Sequence, residues 1–507
     1  MRFNDLVTTT GLIVAVSATP AVAQSAAPTA VLIATTATAP ATTAAAMPAA
    51  PPASAATSPP LKVGSATLSI SARARVENWE WFSTPGFDDN YTFGTLLLRA
   101  GLSRQTPKLD WQVEIAQPSL VNLPDNAVAP APFGALGQGG NYFAANGKRN
   151  DAGIFVKQAF LRFKGVGSKN GSVRVGRFEF NEGTETAPKD QTLAWLKNQR
   201  LAARLLGTFA FTHAQRSFDG LHFAHNTPRA NFTAVAARAT EGVFQLDGNG
   251  QLDVDVLYGA YTKPLPAGEA RLFALHYKDD RTVAKTGNTA TTGDVKVTTL
   301  GAHYLNTFNV GGGKGDVLLW GAYQLGDWGP LDHKANAVGL EAGYQPRSPK
   351  LRPWLRAGYF RSTGDKDARD GEHQTFFTNL NTPRLYARFP FYNMMNNEDL
   401  FAQAIIRPNP KLSLRAEAHA LRLNQASDVW YVGGGAFQDG SFGYAGRPSG
   451  GSRKLANVLD LSADYQINPQ TSLGFYYGHA SGKGVISAIY PAGASGHLAF
   501  IELTRKY

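Results

Sequence analysis

From residue 65 onward the chain alternates apolar and polar residues in stretches of about ten, separated by connectors that are by turns short and long. In residues 109–116 the odd positions are Leu, Trp, Val and Ile, and the even positions up to 114 are Asp, Gln and Glu. Residues 412–419 and 459–467 repeat the pattern. Successive side chains of a strand point to opposite faces. The pattern therefore predicts strands with one face toward lipid and one charged face toward a wet lumen.

The connectors separate into two classes. The short ones contain Pro or Asn, which favour tight turns; they are 105–107, 226–228, 346–349, 408–410 and 468–470. The long ones would be unusual in a compact soluble domain; they are 119–152, 181–216, 362–397 and 424–455. We predict an all-β fold, a transmembrane antiparallel β-barrel of about 18 strands with short periplasmic turns and long extracellular loops. Loops 181–216 and 362–397 are candidates to fold into the pore mouth.

The two ends of the chain indicate where in the cell the protein is located. Residues 1–23 resemble a secretory signal, with Arg2, an apolar run over 11–16 and the small-residue site Ala21-Val22-Ala23. Residues 24–64 are rich in Ala, Thr and Pro and predict a disordered periplasmic segment. The barrel domain is then 65–507, and its final strand ends on the aromatic Tyr507, as is common in outer-membrane barrels. We expect the protein in the cell outer membrane.

Composition excludes several classes and suggests a cargo. Cysteine is absent, so no disulfide or thiol chemistry is expected. After the N-terminal segment no uninterrupted apolar run is long enough for a membrane helix. Lys and Arg total 49 against 38 Asp and Glu, a net charge of +11. A narrow passage lined by one sign of charge concentrates the opposite ion. Anions are therefore the predicted cargo, and nucleic acid is not an expected partner.

Several motifs in order along the chain resemble the alginate export family of Gram-negative outer-membrane barrels. They are Val156-Lys157-Gln158-Ala159-Phe160-Leu161, Arg174-Val175-Gly176-Arg177 with Glu179, Arg216-Ser217-Phe218-Asp219-Gly220, Leu412-Ser413-Leu414-Arg415-Ala416 leading to Ala426-Ser427-Asp428-Val429-Trp430-Tyr431, and Leu459-Asp460-Leu461-Ser462-Ala463-Asp464-Tyr465 followed by Asn468-Pro469. The resemblance implies a monomeric channel of eighteen strands, with a cationic lumen that passes alginate, a polyuronate. Outer-membrane lipid and periplasmic export or uptake components are the other partners to consider.

Arginine is the candidate chemistry of the pore, because its planar fork can donate two parallel hydrogen bonds to a carboxylate. The candidate pore and substrate-binding residues are Arg73, Arg75, Arg174, Arg177, Arg352, Arg356, Arg415, Glu179 and Asp219. The acids among them would pair with some of the arginines and weaken the attraction for anions. No cofactor or metal is expected. The acidic segment 365–372 could hold a divalent ion or simply keep its loop soluble, and 247–253 is interpreted as a hairpin connection.

Three functions remain open from the sequence. The first is a channel for an alginate-like polyuronate or a related anionic polysaccharide. The second is a porin for small organic acids or other anionic nutrients, since one fold serves several cargoes. The third is an outer-membrane hydrolase, because His213, Ser217, Asp219 and His222 cluster in the sequence. A hydrolase needs a nucleophile and a base in reach of each other. No Gly-x-Ser-x-Gly elbow accompanies this cluster, so we predict that the protein is not an enzyme.

Overall fold

The computed structural model describes residues 61–383, 386–389 and 393–507. In this part of the chain, eighteen long antiparallel strands follow one another around a single sheet. In chain order, β1 to β18 are Ala66–Glu80, Asn90–Gln105, Leu109–Val121, Phe155–Lys164, Gly171–Phe178, Phe218–Asn226, Asn231–Thr240, Gln251–Leu265, Gly268–Asp279, Val295–Val310, Gly313–Trp328, Leu331–Gln345, Trp354–Ser362, Asn397–Asn409, Leu412–Leu423, Lys454–Asn468, Thr471–Gly482 and Ser495–Lys506. β1 pairs with β18 and closes the ring. The predicted fold class is confirmed.

The connectors divide between the two ends of the barrel as predicted. Short turns such as 311–312 and 469–470 join the strands at one end. The four predicted long loops lie at the other end and span 122–154, 179–217, 363–396 and 424–453, within three residues of the predicted bounds. In outer-membrane barrels the short turns face the periplasm and the long loops face the cell exterior.

Alternation within each strand separates a lipid-facing surface from the lumen. In β9, Leu272 is 64% exposed while its neighbour Arg271 is 2% exposed. Leu300 on β10 and Leu340 on β12 are likewise exposed. A band of exposed leucines would be costly in water, whereas in a bilayer the same band meets hydrocarbon. Charged residues of the strands such as Arg271 consequently point inward.

Short elements lie within the connectors. The helices are α1 at Gly137–Asn146, α2 at Gln191–Leu196, which continues as a π-helix over Lys197–Leu201, and α3 at Gly484–Ile489. Short strand pairs occur at Val128–Ala129 with Gly134–Ala135 and at Trp430–Gly433 with Tyr444–Arg447; Asp151–Ala152 adds to β3 and Glu372–His373 adds to β12. Among the described residues, no helix has both the length and the apolar character needed to span a bilayer.

The N-terminal predictions fall mostly outside the described residues. The proposed signal at 1–23 and the segment from 24 to 60 are not among them. The described chain begins just before the barrel, where Lys62–Val63 pairs with Ala66 and Thr67 at the start of β1.

Candidate functional site

The loop 179–217, called the inserted loop from here on, crosses the interior of the barrel. From β5 it extends to β12, where Arg200 Nε donates to Glu341 at 2.9 Å. It then returns to β1, where Arg73 Nη1 donates to the carbonyl of Ala210 at 2.7 Å. β1 and β12 lie far apart on the ring. The inserted loop therefore spans the lumen, which goes further than the predicted fold into the pore mouth.

A helix N-cap starts the segment of the inserted loop that reaches the far wall. The carboxylate of Asp190 accepts hydrogen bonds from the backbone N–H groups of Thr192 and Leu193 at 2.9 and 3.0 Å, which satisfies the first turn of α2. The helix continues to Leu201 in π-helical form. Arg200 and Arg204 then both reach Glu341 on β12.

Two of the predicted pore residues lie on β1, facing the inserted loop. Arg75 Nε donates to Glu502 on β18 at 2.8 Å, and its Nη1 donates to Glu77 at 3.1 Å. The Arg75 guanidinium lies 4.3 Å from the ring centre of Phe211, a residue of the inserted loop. Arg73 and Arg75 are both buried. They thus join the wall to the loop inside the lumen.

Arg356 and Arg415 also point into the lumen. Arg356 Nη2 lies 3.3 Å from Asp316 and 3.2 Å from Glu341. Arg415 forms an ion pair with Glu417, next to it on the inward face of β15. Both guanidinium groups lie near the ring of Trp195 in α2, at 5.6 and 5.8 Å.

Arg174 and Glu179 are buried at the base of the inserted loop. Arg174 Nη2 lies 2.9 Å from Nδ1 of His222, and its guanidinium is 4.3 Å from the ring centre of Phe178. Glu179 accepts from Arg99 at 2.9 Å and lies 3.3 Å from Lys157 Nζ. Glu179 therefore already has two cationic partners.

The structure places three of the predicted pore residues away from the lumen. Arg177 and Asp219 lie opposite each other on neighbouring strands and form a two-pronged ion pair at 2.7 Å. Both lie on the outer face, on the side of the exposed residues. The strand ends at Phe178, so Glu179 turns inward although Arg177 faces outward. Arg352 lies in the turn before β13, with a positive φ of 43°, and is exposed at the short-turn end. It does not share a strand face with Arg356.

Several cationic residues of the lumen were not among the sequence candidates. Arg99 and Arg271 occupy inward positions of β2 and β9, where alternation alone could have identified them. Lys197, Arg200, Arg204 and Arg216 belong to the inserted loop, whose path no local pattern predicts.

Burial governs the ionisation of the inserted loop. It lowers the pKa of the Lys197 ammonium, an effect that Glu269 opposes. It raises the pKa of the Glu182 carboxyl, an effect that Arg271 opposes. Lys197 Nζ lies 2.6 Å from Glu269, and Arg271 Nη2 lies 3.0 Å from Glu182. Each group is thus held against a charge of opposite sign on the barrel wall.

The cluster considered for hydrolysis is not assembled as a nucleophile and base. Ser217 Oγ donates to the carbonyl of Lys157 at 2.8 Å. His213 Nε2 lies 3.0 Å from Thr95 Oγ1. His222 contacts Arg174, and Asp219 lies on the outer face. Each member of the cluster therefore has a structural partner of its own.

One group of side chains has the spacing of a metal site. Ligand atoms of Glu417, His419 and Asp460 lie within 4.8 Å of one another. Glu417 is paired with Arg415, and His419 Nδ1 contacts Asp399 at 2.9 Å. The group thus belongs to the hydrogen-bond network of the lumen wall.

Comparison with known proteins identifies related sequences and folds. The family model described as Alginate export matches residues 139–482. No curated protein matches. The solved structure of Pseudomonas aeruginosa OccD3 (OpdP) is 12% identical, covers 87% of this chain and 91% of its own, and has a TM-score of 0.52. Acinetobacter baumannii OccAB2 is 9% identical, with coverages of 87% and 98% and a TM-score of 0.54. Pseudomonas aeruginosa OpdK with vanillate is 10% identical, with coverages of 87% and 98% and a TM-score of 0.51. At these identities the likeness concerns the fold.

Proposed function

This chain belongs to the alginate export family of outer-membrane barrel channels, and from that premise we propose that it passes anionic solutes, with an alginate-like polyuronate as the first candidate. The observation that carries the proposal is a set of lumenal arginines held over aromatic rings. The pairs are Arg75 with Phe211, Arg174 with Phe178, Arg200 with Phe401, Arg204 with Tyr386, Arg271 with Phe273 and Arg356 with Trp354.

Stacking of this kind fixes the plane of a guanidinium while leaving its N–H edge available. The edges now face resident carboxylates such as Glu341 and Glu502. A carboxylate in transit offers the same bidentate geometry. It can therefore replace a resident acid as the partner of an arginine. Successive arginines along the lumen would then pass the anion from one pair to the next.

A polyuronate suits this lining because each sugar unit carries one carboxylate and presents C–H groups on its ring faces. The carboxylate matches arginine, and the apolar ring face matches aromatic side chains such as Trp195 and Trp320. Both kinds of group come from the barrel wall and the inserted loop together.

The second candidate, a porin for small organic acids, is favoured by the path of the inserted loop. The loop crosses the lumen between β1 and β12 and narrows the passage. A narrowed passage suits a compact anion better than a polymer. A fold neighbour, OpdK, was solved with vanillate, itself a small carboxylate.

Planar-bilayer recording of the purified protein tests the proposal. In a KCl gradient we expect a reversal potential that shows preference for chloride, because the lumenal arginines attract anions. Addition of oligouronates or of small organic acids then separates the two cargoes, since the one that blocks the chloride current enters the pore. Cation preference in the same gradient would reject the proposal for both cargoes.

A further inference from the structure

Arg216, the last residue but one of the inserted loop, has a buried guanidinium with spare hydrogen-bond donors. The residue is 0% exposed. Its Nη2 donates to the carbonyl of Gly434 at 2.5 Å, while Nε and Nη1 have no partner among the described residues. No carboxylate of the described chain lies within 4.0 Å of it. A buried cation without an opposite charge is costly.

Three chain segments enclose this guanidinium. Gly207 N donates to the carbonyl of Leu380 at 2.9 Å, which joins the inserted loop to the loop 363–396. Gly434, on the loop 424–453, lies so close to the ring of Phe209 that a Cβ there would approach it to 2.3 Å. The hydroxyl of Tyr444 donates to the carbonyl of Asn379 at 3.0 Å. Loops that are distant in sequence therefore converge around Arg216.

Asn379 supplies a second spare donor in the same enclosure. Its side chain is 0% exposed, and both its Oδ1 and its Nδ2 lack a partner in the described structure. Its carbonyl lies where a Cβ on Gly435 would approach it to 2.6 Å, so Asn379 sits beside the glycine run that covers Arg216. Buried amides normally have hydrogen-bond partners. The amide of Asn379 and the guanidinium of Arg216 thus both have N–H groups that an oxyanion could use.

We propose that Arg216, with Asn379 beside it, is a binding site for the carboxylate of an anion in transit. The inference rests on the proposed function and names one point on the path. A carboxylate carries the single negative charge that balances one guanidinium, and its two oxygens match the planar fork. The amide of Asn379 can donate to a remaining lone pair.

The backbone over Arg216 carries no side chains. Gly433 and Gly435 adopt positive φ values of 123° and 81°, and together with Gly434 they form a run of three glycines. Glycine populates such conformations without steric cost. Movement of this run would separate the Gly434 carbonyl from Arg216 and free the guanidinium for the ligand.

The test is block of the single-channel current by D-galacturonate in planar bilayers, with the full-length protein. We expect saturable block of the unmodified channel and a block constant that is weaker by about ten- to a hundredfold in Arg216→Gln, because charge-assisted hydrogen bonds are lost. Arg216→Lys keeps the charge without the fork and should fall between them. Neutral galactose should not block, and inorganic phosphate should block more weakly than galacturonate.

The matched control is Arg238→Gln, which removes a half-buried arginine from the outer face and should leave the block constant unchanged. An unchanged block constant in Arg216→Gln, whether or not unitary conductance changes, would overturn the site and leave the anion channel standing. Stronger block by phosphate than by galacturonate would overturn the assignment to carboxylates. Cation preference of the unmodified channel would instead refute the proposed function.

A second variant covers the case in which Arg216→Gln does not fold. Asn379→Asp places a resident carboxylate beside Arg216 with almost no change of shape. We expect this variant to fold, as judged by its gel mobility without heating, and to lose galacturonate block because the site is already filled. Unweakened block in Asn379→Asp would contradict the proposal.

Discussion

Glu341 on β12 is the carboxylate on which three lumenal guanidinium groups converge. It accepts from Arg200 at 2.9 Å, from Arg204 at 3.1 Å and from Arg356 at 3.2 Å. Replacing Glu341 with Gln keeps the shape and removes the charge. We expect the free energy of unfolding to fall by about 3–5 kcal/mol, because buried cations lose their partner. Urea unfolding in detergent, followed by tryptophan fluorescence, measures the change.

The same variant should shift the reversal potential toward stronger chloride preference, since one negative charge leaves the lumen. Glu372→Gln is the control: Glu372 pairs with Lys334 at the exposed loop end, and such pairs contribute about 0–1 kcal/mol. Equal stability losses in the two variants would show that Glu341 does not hold the arginines in place.

At the scale of residues, alternation predicted the direction of a side chain wherever the strand continued on both sides of it. Arg73, Arg75, Arg356 and Arg415 point inward as their positions in the pattern predict. Arg177 was assigned to the pore from its motif, although alternation places it on the face of Val175, and it lies on that outer face. Which acid each arginine meets depends on residues up to 427 positions away, as for Arg75 and Glu502. Local patterns carry no information about such pairs.

At the scale of elements, the inserted loop is the part that determines how open the lumen is. Its two limbs are hydrogen-bonded to each other where it enters the barrel, since Ala203 N donates to the carbonyl of Glu182 at 2.8 Å. Residues 184–202 can therefore be replaced by a short Gly-Ser linker without separating these ends. We expect unitary conductance to rise by about twofold, because a barrel of this size encloses an aqueous channel when nothing fills it. Single-channel recording gives the value.

A control for the shortened loop changes the opposite end of the barrel. Lys169 and Asn170 lie in the exposed turn between β4 and β5. The substitutions Lys169→Gly and Asn170→Gly should leave the unitary conductance unchanged. If the shortened inserted loop also conducts as the unmodified protein does, the loop does not cross the conducting path.

The elements differed in how far the sequence predicted them. The number of strands and the bounds of the long loops follow from local alternation and from turn-forming residues, both of which act over a few positions. The course of the inserted loop depends on Arg200 meeting Glu341 and Arg73 meeting Ala210. These contacts join residues more than 130 positions apart, so only the existence and length of the loop could be predicted.

At the scale of the whole molecule, the loss of stability caused by a charged residue on the outer surface should depend on how deep that residue lies in the membrane. Leu319, at the middle of β11, and Val310, at the turn end of β10, are 45% and 47% exposed. We expect Leu319→Arg to lower the free energy of unfolding in lipid vesicles by about 2–4 kcal/mol and Val310→Arg by about 0–1 kcal/mol, because the penalty is greatest at the bilayer midplane. Equal penalties, or none in either variant, would contradict a lipid-facing band at this position.

The architecture as a whole was predictable because a barrel repeats one simple unit. Alternating strands, paired classes of connector and motifs such as Arg174–Glu179 together indicated both closure and family. The cargo was not predictable to the same degree, because it depends on how arginines and acids are matched inside the lumen, and the matching involves the whole ring.

The ion pair between Arg75 and Glu502 bridges the first and last strands at the seam. During biosynthesis Arg75 emerges from the ribosome more than four hundred residues before its partner. A chain that lacks the last strand would consequently form an open sheet and not a smaller pore. The two unpaired edge strands of that sheet could pair with strands of other chains. The barrel is therefore complete only when its first and last strands have paired.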